Sequence, residues 1–233
     1  MAFRRAYLWE GAFGKGYEEF GRPNATRAHG ASSATVAPRL VAAYADETTG
    51  CALLRLKFEA LWREAYGAPA ECWLRLDASE RGALELTALA LNKSATRWLE
   101  AMYLTSRPAL RGTWWVHKLG EWLDPRETAD GASKTVQAVD RGVAFVAAHD
   151  EEDALIFETP DTPLVNFNAG LRDEPRPFPM PLQDPLQTDR GVSFSLFANG
   201  FWNTNYPTFL PFDAPHADWA WRFKIHFKSY TRR

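Results

Sequence analysis

A stretch near the C-terminal end of the chain places the strongest constraint on its fold. Large apolar side chains alternate there with basic ones over residues 219–228. A period of two sends successive side chains to opposite faces of a β-sheet, so this stretch is predicted to be a strand with one buried face and one wet face. The apolar set is Trp221, Phe223, Ile225 and Phe227, and the other set is Arg222, Lys224, His226 and Lys228.

The same period recurs along the chain, whereas helical periods are few. Leu54–Glu59, Cys72–Asp77 and Ala83–Leu91 are predicted strands, and the last becomes apolar on both faces, which is typical of a central strand. Ala60–Tyr66 could form a helical turn or two, ended by Gly67-Ala68-Pro69. Further short strands are predicted at 98–104, 114–120, 135–139, 142–147, 154–158 and 192–196. About ten strands with frequent turn signals predict an all-β fold, a large two-sheet antiparallel β-sandwich.

No internal repeat or linker divides the chain, so we expect residues 1–233 to form a single β-sandwich domain. Residues 1–36 are polar and interrupted by glycines, and we expect them to be an irregular lead-in that lies on the larger body. Residues 174–181 have a proline at every second position, which predicts an extended surface connection over 171–190. The turn dipeptides Asp124-Pro125 and Asp130-Gly131 predict a loop over 121–134.

The charge balance and the cysteine content exclude several classes of function. There are 27 basic and 29 acidic residues, and a formal net charge of -2 offers no field to attract nucleic acid, which is therefore not an expected partner. We find no signal peptide and no apolar run of the roughly 20 residues that cross a bilayer, so we expect no membrane contact and, by default, a cytoplasmic location. Cys51 and Cys72 form no CxxC motif, although one disulfide between them remains open.

The stretch Gly191–Pro207 is the strongest candidate for ligand binding. It begins as a strand and becomes an amide-rich loop at Asn199-Gly200. In that loop Trp202 would supply a flat apolar face, while Asn203 and Asn205 would supply donors and acceptors, which together suit a sugar ring. The alternative is structural, with the amides satisfying the loop's own backbone and Trp202 plugging the sheet. Both interpretations are compatible with the residues.

Catalytic and metal-binding sets are not recognisable in the sequence. His216 and Asp218 have a His-x-Asp spacing common in metal sites, but zinc needs three or four converging ligands, and the alternative is a loop cap before a strand. Retaining glycosidases need two carboxylates about 5–5.5 Å apart, and no spacing singles out a pair. The candidates are Glu100, Glu121, Asp124 and Asp161. We therefore predict no catalytic residue and no metal ligand in this chain.

Five short motifs occur in an order that identifies a possible relative. They are Tyr66-Gly67-Ala68-Pro69, then Leu91-Asn92-Lys93-Ser94-Ala95-Thr96-Arg97-Trp98-Leu99-Glu100-Ala101, then Lys118-Leu119-Gly120 with Asp124-Pro125, then Thr159-Pro160-Asp161-Thr162-Pro163-Leu164-Val165, and last Asn199 to Tyr206. This order resembles the C-terminal region of family 38 glycoside hydrolase-like proteins, which are relatives of α-mannosidases, and in particular the branch with domain of unknown function 5054. The resemblance implies a sandwich related to galactose mutarotase, packed behind a catalytic α/β barrel and a helical bundle. The family's zinc ligands and nucleophilic aspartate lie mainly in that barrel.

The resemblance and the missing catalytic set lead to one main hypothesis. The chain would be the non-catalytic C-terminal β-sandwich of an α-mannosidase-like glycoside hydrolase, supporting the catalytic barrel and edging the sugar cleft. Its partners would be carbohydrate and the barrel and helical domains of the same protein, and zinc would be a cofactor only of the catalytic domain. The alternatives are a stand-alone carbohydrate-binding module and a domain that only mediates assembly, which would expose a broad apolar patch.

Overall fold

The structure is a computed structural model and describes residues 1–6, 34–94, 99–129, 134, 136–148, 153–167, 186–199 and 216–229. Within these ranges the chain is almost entirely strand, with one short α-helix and one 3₁₀ helix. The elements are β1 (Ala2–Ala6), β2 (Ala34–Val36), β3 (Arg39–Asp46), β4 (Cys51–Lys57), α1 (Ala60–Tyr66), β5 (Glu71–Asp77), β6 (Ala83–Ser94), β7 (Leu99–Ser106), β8 (Gly112–Lys118), β9 (Glu121–Leu123), β10 (Val136–Ala138), β11 (Gly142–Ala147), β12 (Asp153–Glu158), β13 (Leu164–Asn166), the 3₁₀ helix (Thr188–Arg190), β14 (Val192–Asn199) and β15 (His216–Ser229).

The strands form two sheets in which neighbouring strands run antiparallel. The larger sheet has nine strands in the order β3-β4-β5-β6-β15-β12-β11-β8-β9, and the smaller has six in the order β10-β13-β14-β7-β1-β2. Long-range pairs such as β6 with β15 and β7 with β14 connect distant parts of the chain. The prediction of an all-β, large two-sheet antiparallel β-sandwich is therefore confirmed.

The core lies between the sheets and is rich in aromatic side chains from both. Phe194 of the six-stranded sheet contacts Phe157 and Phe223 of the nine-stranded sheet, with ring centroids 5.6 and 5.3 Å apart. Trp114, which is 1% exposed, packs against Phe145 at 5.0 Å. Such tilted ring pairs add to the free energy of area burial, so the contacts of Phe194 hold the two sheets face to face, while Trp114 and Phe145 pack within the nine-stranded sheet.

Strand β15 shows how the sequence builds this sandwich. Trp221 and Phe223 are buried, whereas Arg222 is exposed and Lys224 is half-buried on the opposite face. The predicted strand with one apolar face is confirmed. Phe227 is 54% exposed, so the buried stripe stops before the strand does.

Two local predictions from the sequence are also confirmed. Strand β6 lies between β5 and β15, as expected for a central strand. Helix α1 covers the predicted residues and ends at Gly67, whose φ of 73° is a left-handed conformation that glycine adopts without a Cβ penalty. No helix in the described ranges has the length and apolar character needed to span a bilayer.

Three predictions about irregular segments need correction. The lead-in at 1–36 is not irregular at its ends, because β1 pairs with both β2 and β7, and ladder hydrogen bonds from neighbours override a weak local pattern. The loop predicted over 121–134 contains β9, which pairs with β8. His216 and Asp218 do not form a cap before a strand, since they belong to β15 and the register with β6 shifts beside them.

Other predictions fall partly on residues outside the described ranges. Most of the lead-in and of the Pro-rich connection at 171–190 lies at 7–33 and 168–185, beyond the described residues. The single-domain organisation stays a prediction.

Cys51 and Cys72 are both free thiols, and burial raises the pKa of Cys72 to about 12.

Candidate functional site

The predicted sugar-contacting residues Trp202, Asn203 and Asn205 lie outside the described residues, and their role stays a prediction. The structure does describe the strands on either side of them. Strand β14 ends at Asn199, which is paired with Glu100 of β7, and β15 begins at His216, which is paired with Ser94 of β6. The described strand ends on either side of residues 200–215 therefore belong to different sheets, one next to the start of β7 and the other next to the end of β6.

A buried ion pair lies where these strand ends meet. Lys93 Nζ donates to Glu100 Oε1 at 2.6 Å and to the carbonyl oxygen of Ser94 at 2.6 Å, and it lies 5.6 Å from the centroid of the Phe197 ring. Both charged side chains have 0% exposure. We call Lys93, Ser94, Glu100 and Phe197 the Lys93 cluster. Because it joins β6 of one sheet to β7 and β14 of the other and is sealed from solvent, it fixes the strand ends and cannot itself touch a ligand.

Next to this cluster lies Asp218, the aspartate of the His-x-Asp motif, and its contacts show a structural role. Asn92 has a φ of 53°, a left-handed conformation, and its N–H donates to Asp218 Oδ1 at 2.8 Å. Asp218 lies within the register shift between Ala217 and Trp219, so its carboxylate satisfies a backbone donor that the bulge removes from the ladder. Groups of three or more His, Cys, Asp or Glu side chains arranged to hold a metal ion do not occur in the described part of the chain.

The carboxylates considered for glycosidase chemistry are mostly held by cations. Glu100 is paired with Lys93. Asp124 accepts from Arg126 Nε at 2.9 and 3.0 Å, and Asp161 accepts from Arg222 Nε at 2.8 Å and Nη2 at 3.0 Å. Glu121 is exposed on β9, paired through the backbone with Lys118.

The pKa shifts of the described carboxyl groups point in one direction. A glycosidase's general acid needs a raised pKa so that it is protonated at neutral pH. Hydrogen bonds from neighbouring donors lower the pKa of seven carboxyls: Asp46, Glu71, Asp77, Glu80, Asp124, Asp140 and Asp161. For Glu158, burial acts to raise the pKa, but the hydrogen bonds and charges of Arg141 and His226 outweigh it and the pKa is lowered. These eight groups are therefore suited to ion pairing.

A different surface combines aromatic rings with fixed polar groups. It lies on the wet face of the nine-stranded sheet, where side chains of β3, β4 and β5 point away from the second sheet. We call it the Tyr44–Trp73 patch, and it consists of Tyr44, Arg55, Lys57, Glu71 and Trp73. The rings of Tyr44 and Trp73 have centroids 6.4 Å apart and planes within 20° of each other, and Tyr44 is 55% exposed.

Hydrogen bonds hold the polar part of this patch in one arrangement. Arg55 Nε donates to Glu71 Oε1 at 2.9 Å, and Arg55 Nη2 donates to Oε2 at 2.7 Å. The indole Nε1 of Trp73 donates to the same Oε1 at 2.7 Å, and the Arg55 guanidinium lies 5.6 Å from the indole centroid. The pKa of Glu71 is lowered, chiefly by the hydrogen bond from Arg55, so the carboxylate stays ionised.

This arrangement has the chemistry of a saccharide contact. Two near-parallel rings offer apolar surface to the C–H groups of a sugar, and a preorganised carboxylate with a flanking cation offers an acceptor and a donor to its hydroxyls. Lys57, which is 44% exposed and 3.6 Å from Glu71 Oε2, is the most accessible of these polar groups. The sequence did hold a signal for the patch, because Trp73 lies on the polar face of an alternating strand, between Glu71 and Arg75.

Comparisons with known proteins give little for this chain. No family model matches it, and no curated protein matches it. Among solved structures it is similar to a protein assigned as an aldose 1-epimerase from Escherichia coli K12, with a TM-score of 0.41 and 11% identity, covering 83% of this chain and 69% of the other. A likeness of this degree concerns the arrangement of strands and carries nothing about activity.

Proposed function

We propose that this chain is a non-catalytic β-sandwich domain that contacts carbohydrate. The observation that carries the proposal is the Tyr44–Trp73 patch, where an aromatic pair, with Tyr44 exposed and Trp73 half-buried, adjoins a carboxylate that is already oriented by Arg55 and by the Trp73 indole. A tryptophan on the wet face of a sheet is costly unless it has a partner, and a ring held by a hydrogen bond loses little further freedom on binding.

The proposal includes no catalytic step, and the pKa values of eight described carboxyl groups support leaving it out. Glycoside hydrolysis separates two carboxyl groups into a protonated acid and an ionised base or nucleophile. The eight carboxyls with shifted pKa values all move towards the ionised form, and most are engaged by arginine or lysine. We expect the purified chain to release no aryl alcohol from an aryl mannoside, with or without added zinc. Metal-dependent release would overturn this part of the proposal.

A titration of the full chain with mannose-containing and other oligosaccharides tests the binding proposal. Trp73→Ala is expected to weaken binding by roughly tenfold or more, as for a buried aromatic anchor in an interface. The matched control is Trp122→Ala, because Trp122 also lies on the wet face but on β9, at the opposite edge of the same sheet. Trp202→Ala tests the competing location. If this variant loses affinity for the oligosaccharide and Trp73→Ala does not, the binding site lies in the loop predicted from the sequence. Flat heats with every sugar would remove the proposal.

A second candidate function is the supporting domain of an α-mannosidase-like glycoside hydrolase. The motif order favours it, and so does the exposure of three large apolar side chains: Leu40 and Val41 of β3 are 54% and 43% exposed, and Leu61 of α1 is 61% exposed. Exposed apolar side chains of this kind suit docking against the barrel and helical domains, with any zinc held by the barrel. Coding sequence next to this one is the test: a barrel with a zinc-type His-x-Asp supports the candidate, and unrelated neighbours count against it.

A further inference from the structure

The Tyr44–Trp73 patch carries an excess of positive charge at one end. Arg39 of β3 is paired through the backbone with Lys57 of β4, and Arg55 lies two residues before Lys57 on the same wet face. Three cations, Arg39, Lys57 and Arg55, therefore lie at this end of the patch, where Glu71 supplies the one carboxylate of the patch. The whole chain has a formal net charge of -2, so this local excess is not a property of the protein as a whole.

The three cations differ in how far they are already engaged. Arg55 already donates to Glu71 through Nε and Nη2, so it is the most engaged of the three. Both oxygens of Glu71 already accept shorter hydrogen bonds, so Lys57 at 3.6 Å is only loosely held. Arg39 is exposed and forms no ion pair with the residues that the structure describes. Lys57 and Arg39 are thus the cations that a ligand would meet.

The opposite end of the patch holds carboxylates that are already satisfied. Asp46 accepts from the Thr48 N–H and the Thr49 hydroxyl, each at 2.9 Å, and Asp77 accepts from Arg75 Nη2 at 2.8 Å. The aromatic pair therefore lies between two ends. At the cationic end Lys57 and Arg39 can still pair with a ligand, and at the acidic end the carboxylates already have hydrogen-bond partners. A saccharide that lies along the strands is therefore given a direction, with any negative group next to Lys57 and Arg39.

We infer that the patch takes an acidic oligosaccharide, one whose sugar ring carries a carboxylate, with that carboxylate at Lys57 and Arg39 and the ring on Trp73. This rests on the proposed function and adds the class of ligand to it. The charge contact is exposed to solvent, so it is screened by salt, whereas the ring contact is not.

The experiment compares two matched probes, a hexuronate oligosaccharide and the same oligosaccharide with its carboxylates methyl-esterified. We expect the acidic probe to bind the full chain roughly tenfold more tightly at low ionic strength, with the difference shrinking as salt is raised. The double variant Arg39→Gln/Lys57→Gln is expected to lose that difference while it keeps the affinity for the ester. The control Arg107→Gln/Arg111→Gln removes two exposed cations from the β7–β8 connection and is expected to change nothing.

The outcomes test the preference for an acidic sugar separately from carbohydrate binding itself. Equal or tighter binding of the ester overturns the acidic preference and leaves carbohydrate binding standing. Binding of the acidic probe that survives in Trp73→Ala also overturns the inference, because the attraction is then charge alone. If neither probe binds, this inference fails, and the titration with neutral oligosaccharides decides the proposed function separately.

Discussion

Two ion pairs of the same chemistry lie in opposite environments of this sandwich. Lys93–Glu100 joins the two sheets and is sealed at 0% exposure, while Arg55–Glu71 lies on the wet face with its side chains 33% and 19% exposed. The buried pair is enclosed by the core ring of Phe197, and the surface pair is flanked by Trp73 and Tyr44. Lys93–Glu100 therefore connects the two sheets, whereas Arg55–Glu71 fixes polar side chains on the surface of one sheet.

The difference shows that contact geometry alone does not distinguish a sealed ion pair from one that a ligand could reach. Both pairs have short N–O contacts, 2.6 and 2.7 Å. What separates them is desolvation, because a charge removed from water depends wholly on its partner, whereas a half-solvated charge can exchange a partner for a ligand hydroxyl. Four predictions test this contrast.

The largest expected effect comes from breaking the buried pair. Lys93→Met removes the cation facing Glu100 and is expected to lower the free energy of unfolding by about 3–5 kcal/mol, measured by urea denaturation. Replacing both partners, as in Lys93→Met/Glu100→Leu, is expected to recover much of the loss. The matched control Lys57→Met removes a half-exposed lysine and should cost about 0.5 kcal/mol or less. A double variant no more stable than the single one would contradict a role for the pair's charges.

Tryptophans in the two environments give the next contrast. Trp114→Ala removes a core ring that packs on Phe145, Phe157 and Phe167, and it is expected to cost about 3–5 kcal/mol. Trp73→Ala removes a half-buried ring and one hydrogen bond, for which we expect about 1–2 kcal/mol together with the loss of sugar binding. Urea denaturation measures both losses of unfolding free energy, as shifts of the midpoint at an unchanged m-value. Equal costs would place Trp73 in the structural framework instead of the binding surface.

The strands themselves were readable from the sequence wherever one face is apolar and the other polar, as in β4, β5 and β15. Strand β3 was missed because it is rich in alanine and because a register shift between Leu40 and Ala42 breaks its period of two. Strand β9 was missed because its three residues precede turn dipeptides that dominate the local pattern.

The sites were less accessible to sequence reasoning because each is assembled by tertiary pairing. Tyr44 reaches Trp73 only through the registers of β3 with β4 and of β4 with β5, and the first register contains the shift. Lys93 was visible as a lysine near an apolar strand, but its partner Glu100 lies across a connection and in the other sheet. Alternation identifies the face of a residue but not its neighbour across the sandwich.

A smaller effect is expected from the backbone beside the Lys93 cluster. Asn92 has a φ of 53°, which costs most L-residues about 1–2 kcal/mol but is tolerated by asparagine and free for glycine. Asn92→Ala is therefore expected to lower Tm by about 2–4 °C, while Asn92→Gly leaves it nearly unchanged, as measured by thermal denaturation. A larger loss in the glycine variant than in the alanine variant would show that the asparagine amide, and not the backbone angle, is what the position requires.

The smallest effect is expected from the surface pair, and it depends on pH. Arg55 lowers the pKa of Glu71 in the folded chain, so this carboxylate binds its proton more weakly than it does when unfolded. The stability it contributes is therefore fully present above the unfolded pKa of about 4.3 and is lost as the pH falls through the folded value. Glu71→Gln removes this contribution, so the difference in unfolding free energy between wild type and variant should shrink with falling pH below about 4.3. Urea denaturation of both proteins at several pH values measures that difference. The other carboxyl groups titrate equally in the two proteins, so their contributions to the unfolding free energy cancel. A gap that stays constant down to low pH would show that the charge of Glu71 adds no stability, and the contrast with the buried pair would then rest on burial without any contribution from charge.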